Sequence, residues 1–221
     1  MTNTCLCLFA KAPISGKVKT RLLPALSEQQ ACRAHKVLLQ HCIAKIQHTD
    51  WQSQLWSTDI SDPYMQENAQ QYALSLHEQH GLDLGERMAN AAQQSLENFD
   101  YVVIVGTDCP SLDITIINDV VKKLQAGVDV VLGPATDGGY VLIGLSVMDS
   151  RIFTDINWGS GQVLELTRTR LQEAGLTWYE LAEQRDIDRP DDLYYLQQAY
   201  PDLFHSIGVS LSLPQSDHEP G

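Results

Sequence analysis

The sequence predicts an α/β chain: a mostly parallel, mixed sheet with helices on both faces. Three observations carry that expectation. Short apolar runs rich in β-branched residues alternate with stretches of helical periodicity along nearly the whole chain. One of them, Val102–Gly106, holds no charge and no polar side chain, as a strand buried on both faces requires. Two neighbouring runs, 128–133 and 140–145, have only a turn between them, which implies some antiparallel pairing in the otherwise parallel order.

The elements follow in order. Thr4–Ala10 reads as an apolar strand. Residues 11–21 form a loop, because Pro13 and Gly16 interrupt any regular structure. Ser27-Glu28-Gln29-Gln30 has the form of a capping box and opens a helix to about His48, with Ala31, Ala34, Leu38, Cys42 and Ile46 at helical spacing. A strand at 54–57, a short helix at 63–71 and a strand at 73–77 come next. A helix over 84–96 leads into the buried strand 101–106. Asp113 stands directly before the helical run 114–125, where an N-cap belongs. After strand 128–133, the turn Thr136-Asp137-Gly138-Gly139 and strand 140–145, the sequence predicts a helix over 161–174, a strand over 178–181 and a helix over 191–200. Pro190 suits the first turn of that last helix. There is no internal repeat. Residues 1–208 read as one domain and 209–221, polar and with two prolines, as a frayed tail.

Composition narrows the function. A globular chain of 221 residues, 43% hydrophobic and 19% charged, can bury about 70% of its unfolded surface. No apolar run approaches the ~18 residues of a membrane span. No basic region precedes the first apolar stretch, so no signal peptide is expected. Five cysteines, an odd number without a framework spacing, point to reduced thiols and a cytoplasmic protein. Cys5 and Cys7 face one side of a strand and suit packing. A net charge of −13 argues against nucleic acid or an anionic membrane surface as a partner. That charge is unevenly placed. No acid precedes Glu28, and the acid-free stretch holds Lys11, Lys17, Lys19 and Arg21. An acidic protein with one concentrated basic loop is suited to holding a small anion.

The chemistry-bearing residues cluster at predicted strand ends. Asp108 follows the buried strand directly, where open α/β sheets bind ligands. The basic loop lies at the end of the first strand and offers backbone N–H groups and cations to a phosphate. It is not a Walker A loop, because Lys11 and Val18 stand where that motif needs Gly and Ser or Thr. Asp108 and Asp188, within Asp186-Ile187-Asp188, could together hold a magnesium ion if the chain folds back, since magnesium takes one or two carboxylates plus phosphate oxygens. The Asp137-Gly138-Gly139 turn reads equally as backbone approaching a ligand and as a hairpin turn. Arg87 could meet an acid or a phosphate, and Trp158 could stack on a ligand or belong to the core. The histidines form neither a ligand spacing nor a triad, and no nucleophile elbow is present.

Taken together, these residues resemble the nucleotide-diphospho-sugar transferase superfamily. They resemble most nearly a bacterial branch described as candidate glycosyltransferases. The resemblance rests on Phe9–Leu22 (F-A-K-x-P…G-x-V-K-T-R-L), Asp83–Met88 (D-L-G-E-R-M), Gly106–Leu112 (G-x-D-C-P-x-L), Gly133–Leu145 (G-P-x-x-D-G-G-Y-x-L-I-G-L) and Asp186–Leu193 (D-x-D…D-L), and it spans about residues 4–203. More distantly, the chain is similar to guanylyltransferases acting on molybdenum-cofactor or phospholactate substrates. The resemblance implies a GT-A, Rossmann-like fold, a nucleotide in the N-terminal half and a small-molecule acceptor in the C-terminal half. It implies Mg2+ or Mn2+ at Asp108, with Asp188 or Asp186 completing the site. Where the superfamily often carries a D-x-D motif, this chain has Asp108-Cys109-Pro110, with one acid. The glycine-rich opening of the nucleotidyltransferases is replaced by a loop holding Pro13 and Gly16.

The expected function is metal-dependent transfer from a nucleotide-activated donor, with glycosyl transfer from a nucleotide sugar leading. Nucleotidyl transfer from a nucleoside triphosphate, releasing pyrophosphate, is the alternative, and a nucleotide-binding module without turnover is a second. The expected substrate-binding residues are Lys11, Gly16, Lys19, Arg21, Gly85, Arg87, Gly138, Gly139 and Trp158, with Asp137 orienting or deprotonating the acceptor.

Overall fold

The computed structural model describes residues 3–46 and 51–210. Its strands are β1 (Thr4–Ala10), β2 (Gln52–Ser57), β3 (Ser75–Glu78), β4 (Tyr101–Gly106), β5 (Val130–Pro134), β6 (Tyr140–Leu145) and β7 (Trp178–Glu180). They form one sheet in the order β3-β2-β1-β4-β6-β5-β7. All pairings are parallel except those of β6, which runs antiparallel to both β4 and β5. The reason is connection length. The link between β5 and β6 is too short for a crossover, so the pair must be a hairpin, as the sequence implies.

The helices are α1 (Glu28–Ile46), α2 (Pro63–Gln71), α3 (Leu84–Leu96), α4 (Ile114–Gln125), α5 (Val163–Ala174), α6 (Pro190–Ala199) and α7 (Pro201–Ile207). They cover both faces of the sheet. Along β1 the side chains alternate: Leu6, Leu8 and Ala10 pack with α1, α2 and α4, whereas Cys5, Cys7 and Phe9 pack with α3 and α5. The predicted caps are present. Ser27 Oγ accepts from Gln30 N while Gln30 Oε1 accepts from Ser27 N, and Asp113 accepts from Thr115 N and Ile116 N. The three-residue edge strand β7 is clamped to α5 by Arg168, whose Nε and Nη2 donate to Glu180 at 2.8 and 2.7 Å.

The structure corrects the C-terminal reading. The helix expected over 191–200 spans Pro190–Ala199, and a further helix, α7, follows at once. Pro201 reads as a stop in sequence, yet it occupies the first helical turn, where its missing N–H costs nothing. Phe204 and Ile207 of α7 then join Leu38, Ile187, Leu193 and Leu196 in a third apolar cluster on the outer side of α1. This cluster holds the C-terminal segment against the N-terminal loop. The expected end of α1 near His48 and the tail to residue 221 fall on 47–50 and 211–221, outside the described residues. All five cysteines are free and buried, and among the described residues no helix is long and apolar enough to cross a membrane.

Candidate active site

A cleft of about 700 Å³ opens at the carboxyl ends of β1 and β4. The basic loop forms one wall, and it is pinned from beneath. Ala12 N donates to Thr58 Oγ1 (3.0 Å), Cys32 Sγ to the Pro13 carbonyl (3.0 Å), and His35 Nε2 lies 2.8 Å from the Lys11 carbonyl. Val18 and Leu22 are buried anchors. Between them Lys19 adopts a left-handed backbone (φ 50°, ψ 38°), which a lysine holds only when its surroundings over-determine it. That conformation sends its side chain inward. Lys19 is 3% exposed at the side chain, its Nζ lies 2.8 Å from Asp108 Oδ2, and it donates to the Ile187 carbonyl.

The opposite wall comes from the C-terminal part of the chain, which does fold back. Gln184 N donates to the Pro134 carbonyl (2.8 Å), Thr136 N to the Gln184 carbonyl (3.0 Å) and Ile187 N to the Asp108 carbonyl (3.0 Å). Asp186 and Asp188 thereby reach the cleft beside Asp108 and Asp137. Asp188 meets Arg21: Nη1 donates to Oδ2 at 2.8 Å, while Nη2 donates to the Gly159 carbonyl at 3.3 Å. Asp192 Oδ2 accepts from the backbone N–H groups of Asp188 and Arg189 and so fixes this turn.

The electrostatics follow from these contacts. Burial raises the pKa of Asp108, but Lys19 and His35 outweigh it and hold the carboxyl below its usual range. Asp186 has no such partner. Burial, with Asp137 adding like-charge repulsion, pushes its pKa up to about 6. Burial lowers the pKa of His35, against the pull of Asp108. Asp108 Oδ1 is buried without a hydrogen-bond partner, 4.0 Å from His35 Nδ1.

The sequence-predicted residues therefore divide. Lys11, Lys19, Arg21, Arg87, Asp108, Asp137, Gly139, Trp158 and Asp188 all line the cleft, and Gly16, Gly85 and Gly138 do not. Gly85 lies under Trp158, where a Cβ would sit 2.3 Å from the indole nitrogen. Trp158 in turn meets Tyr140 edge-on, at 6.2 Å and 85°. Gly138 has φ +87°, and its carbonyl accepts from Leu164 N (2.9 Å), which fixes the start of α5. Asp137 Oδ1 accepts from Gly139 N at 2.9 Å. The turn is thus a folded support on one side and cleft lining on the other. Among the described residues, Lys11, Lys17 and Arg87 line the cleft without an acidic partner, whereas Lys19 and Arg21 are already paired.

Sequence reasoning missed His35 and undervalued Lys17 and Asp186. A signal existed for the first: His35 sits on the buried stripe of α1, a polar residue among Ala31, Ala34 and Leu38.

Among the described residues no group of three or more His, Cys, Asp or Glu is disposed to cage a metal ion. A magnesium-type site does not require one, because phosphate oxygens and waters complete it. The buried, unpartnered Asp108 Oδ1 and the uncompensated Asp186 are the kind of acceptors such an ion needs, so the residues fit a divalent cation.

Comparison with known proteins places this geometry. A candidate nucleotide-diphospho-sugar transferase from Desulfovibrio desulfuricans G20 superposes with a TM-score of 0.80 at 25% identity, over 94% of this chain and 99% of that one. A cytidylyltransferase from Leptospira borgpetersenii gives 0.55 at 13% identity, over 96% and 100%. Glucosyl-3-phosphoglycerate synthase from Mycobacterium tuberculosis, solved with Mn2+, uridine diphosphate and glucosyl-3-phosphoglycerate, gives 0.52 at 12%, over 96% and 82%. At such low identity the last two show the fold alone. No curated protein matches the sequence. The expected fold is present: it is that of the nucleotide-diphospho-sugar transferases. The family model described as "Uncharacterized protein conserved in bacteria (DUF2064)" matches residues 39–160, more than half of the sequence, and the chain belongs to that family.

Proposed function

We propose that this protein transfers a glycosyl group from a nucleotide sugar to a small acceptor with the help of a divalent cation. One observation carries the reading: unpaired cations and uncompensated carboxylates face the same cleft at the carboxyl ends of the strands. Lys11, Lys17 and Arg87 bind the diphosphate of the donor, each as a charge-assisted contact. Asp108, with Asp188 or Asp186, would hold the cation. When bound, that ion supplies positive charge to the departing diphosphate. The mycobacterial synthase of the same fold, solved with Mn2+ and uridine diphosphate, supports that assignment.

The chain's own chemistry concerns the acceptor. Its hydroxyl oxygen forms the new bond to the anomeric carbon as the bond to the phosphate oxygen breaks, and the nucleoside diphosphate leaves with the electron pair. The hydroxyl proton passes to a carboxylate. Asp137 lies at the cleft edge and is held by Gly139 N for that role. Asp186, with a pKa near 6, is poised beside it as a proton acceptor near neutral pH.

Product analysis tests the reading. Donor and acceptor panels incubated with Mg2+ or Mn2+ should release nucleoside diphosphate. Pyrophosphate released from a nucleoside triphosphate would establish nucleotidyl transfer instead. Nucleotide binding without consumption across the panels would reduce the protein to a binding module.

A further inference from the structure

We infer that the cleft neutralises itself in the free protein and takes a divalent cation and a nucleotide only as a coupled pair, by exchange of ionic partners. The inference rests on the proposed reading of the site and concerns how its ligands enter.

Two cations that would meet phosphate are bound to two carboxylates that would meet metal. Lys19 Nζ lies 2.8 Å from Asp108 Oδ2, and Arg21 Nη1 lies 2.8 Å from Asp188 Oδ2. The pairs differ in depth. The Lys19 side chain is 3% exposed, while Arg21 is 46% exposed. Among the described residues Lys19 has no second carboxylate, and its other contact is a neutral carbonyl.

Each ligand alone therefore meets an obstacle. A cation drawing Asp108 away would leave a buried ammonium without a counter-charge, a costly arrangement. A phosphate drawing Lys19 away would leave Asp108 with one buried oxygen unpartnered already and its second deprived of Lys19. Together they remove both obstacles, since carboxylates turn to the cation and Lys19 and Arg21 to phosphate oxygens. The unpaired Lys11, Lys17 and Arg87 give a nucleotide a foothold before the exchange. A free cation has none that does not compete with Lys19 or Arg21, apart from the isolated Asp186 and Asp137. Linkage then requires each ligand to tighten the other by the same factor.

The test uses the full chain. Thermal shift first selects the nucleoside diphosphate, among those of adenosine, guanosine, cytidine and uridine, that stabilises most. Mn2+ binding is then followed by the electron paramagnetic resonance of free Mn2+ and by calorimetry, with and without that nucleotide. Affinity for Mn2+ should rise by about tenfold or more when nucleotide is present, within the ordinary range of coupling between sites. A nucleotide chelates Mn2+ on its own, so the decisive arm is the metal alone. Lys19→Met, which frees Asp108, should bind Mn2+ alone more tightly than wild type. Lys17→Met, which removes an unpaired cation of the same loop, should change it much less. Arg21→Gln opens the exposed pair, should move Mn2+ affinity in the same direction, and serves if Lys19→Met does not fold. Mn2+ binding to Lys19→Met or Arg21→Gln no tighter than to Lys17→Met overturns the inference. Metal and nucleotide that bind independently in wild type also overturn it, and leave the proposed function standing. Absence of any nucleotide binding overturns both.

Discussion

Gly138→Ala separates the framework of the glycine turn from its cleft-facing surface. Gly138 has φ +87°, and a Cβ there would lie 2.1 Å from the Gly161 carbonyl oxygen and 2.8 Å from its carbon. Those are backbone atoms, so no side-chain rotation can relieve the contact. A left-handed backbone costs an alanine about 1–2 kcal/mol, and forced overpacking typically about 1–3 kcal/mol. The sum, about 2–5 kcal/mol, is a large share of the roughly 5–15 kcal/mol that stabilises a domain. Gly139→Ala is the control. There the nearest atom is Asp137 Oδ1 at 3.1 Å, the end of a movable side chain, and the backbone is not left-handed. It should lose less than about 1 kcal/mol, the scale of one hydrogen bond, and lower turnover by disturbing Asp137. Urea unfolding followed by circular dichroism gives both values, read as a lower midpoint at unchanged slope. If Gly138→Ala unfolds within about 0.5 kcal/mol of wild type, as an ordinary surface change does, or Gly139→Ala loses as much as Gly138→Ala, the turn is not packed as described.

Three further outcomes are expected. Arg87→Ala, which removes an unpaired cation from the cleft, should weaken nucleotide binding by about 1.5–3 kcal/mol, the scale of a hydrogen bond to a charged group; unchanged affinity by calorimetry refutes its role. Asp137→Asn should lower turnover while nucleotide affinity holds, and a loss of affinity with turnover intact would place Asp137 on the donor side. Asp186→Asn should stabilise the metal-free protein. Its carboxyl is raised from 3.8 to about 6, so between those values the folded state binds more protons than the unfolded state, and wild-type stability falls as pH rises through that window. The asparagine variant escapes this loss, gaining up to about 3 kcal/mol at pH 8, less whatever the open cleft screens, and roughly half of that at pH 5. Urea unfolding with chelator present measures the gain, and one that does not grow between pH 5 and pH 8 contradicts the shift.

Legibility in the sequence followed the range of the physical signal. Strand and helix periods are local, and so are caps. Asp113 and the Ser27–Gln30 box are recognisable because donor and acceptor lie within three residues of each other. The antiparallel β6 was legible for the same reason, since a short connection leaves no other pairing. The helix α7 was not, because Pro201 has the same local meaning at a stop and at a start, and burial of Phe204 and Ile207 against α1 decides between them.

The site was legible as a set of residues and illegible as a set of partnerships. Composition set the basic loop apart, and strand ends marked Asp108 and Asp137. Which cation meets which carboxylate depends on contacts across the whole chain: Arg21 and Asp188 are 167 positions apart. Ile187 settles the matter through packing. Its side chain is buried in the third apolar cluster, its N–H donates to the Asp108 carbonyl, and its own carbonyl accepts from Lys19. One apolar residue thus carries Asp186 and Asp188 to the cleft on either side of it. The charges that make the cleft a plausible ligand site are positioned by a hydrophobic contact that no charge pattern reveals. The acid left without a cation, Asp186, could be told from Asp188 only once those contacts were in place.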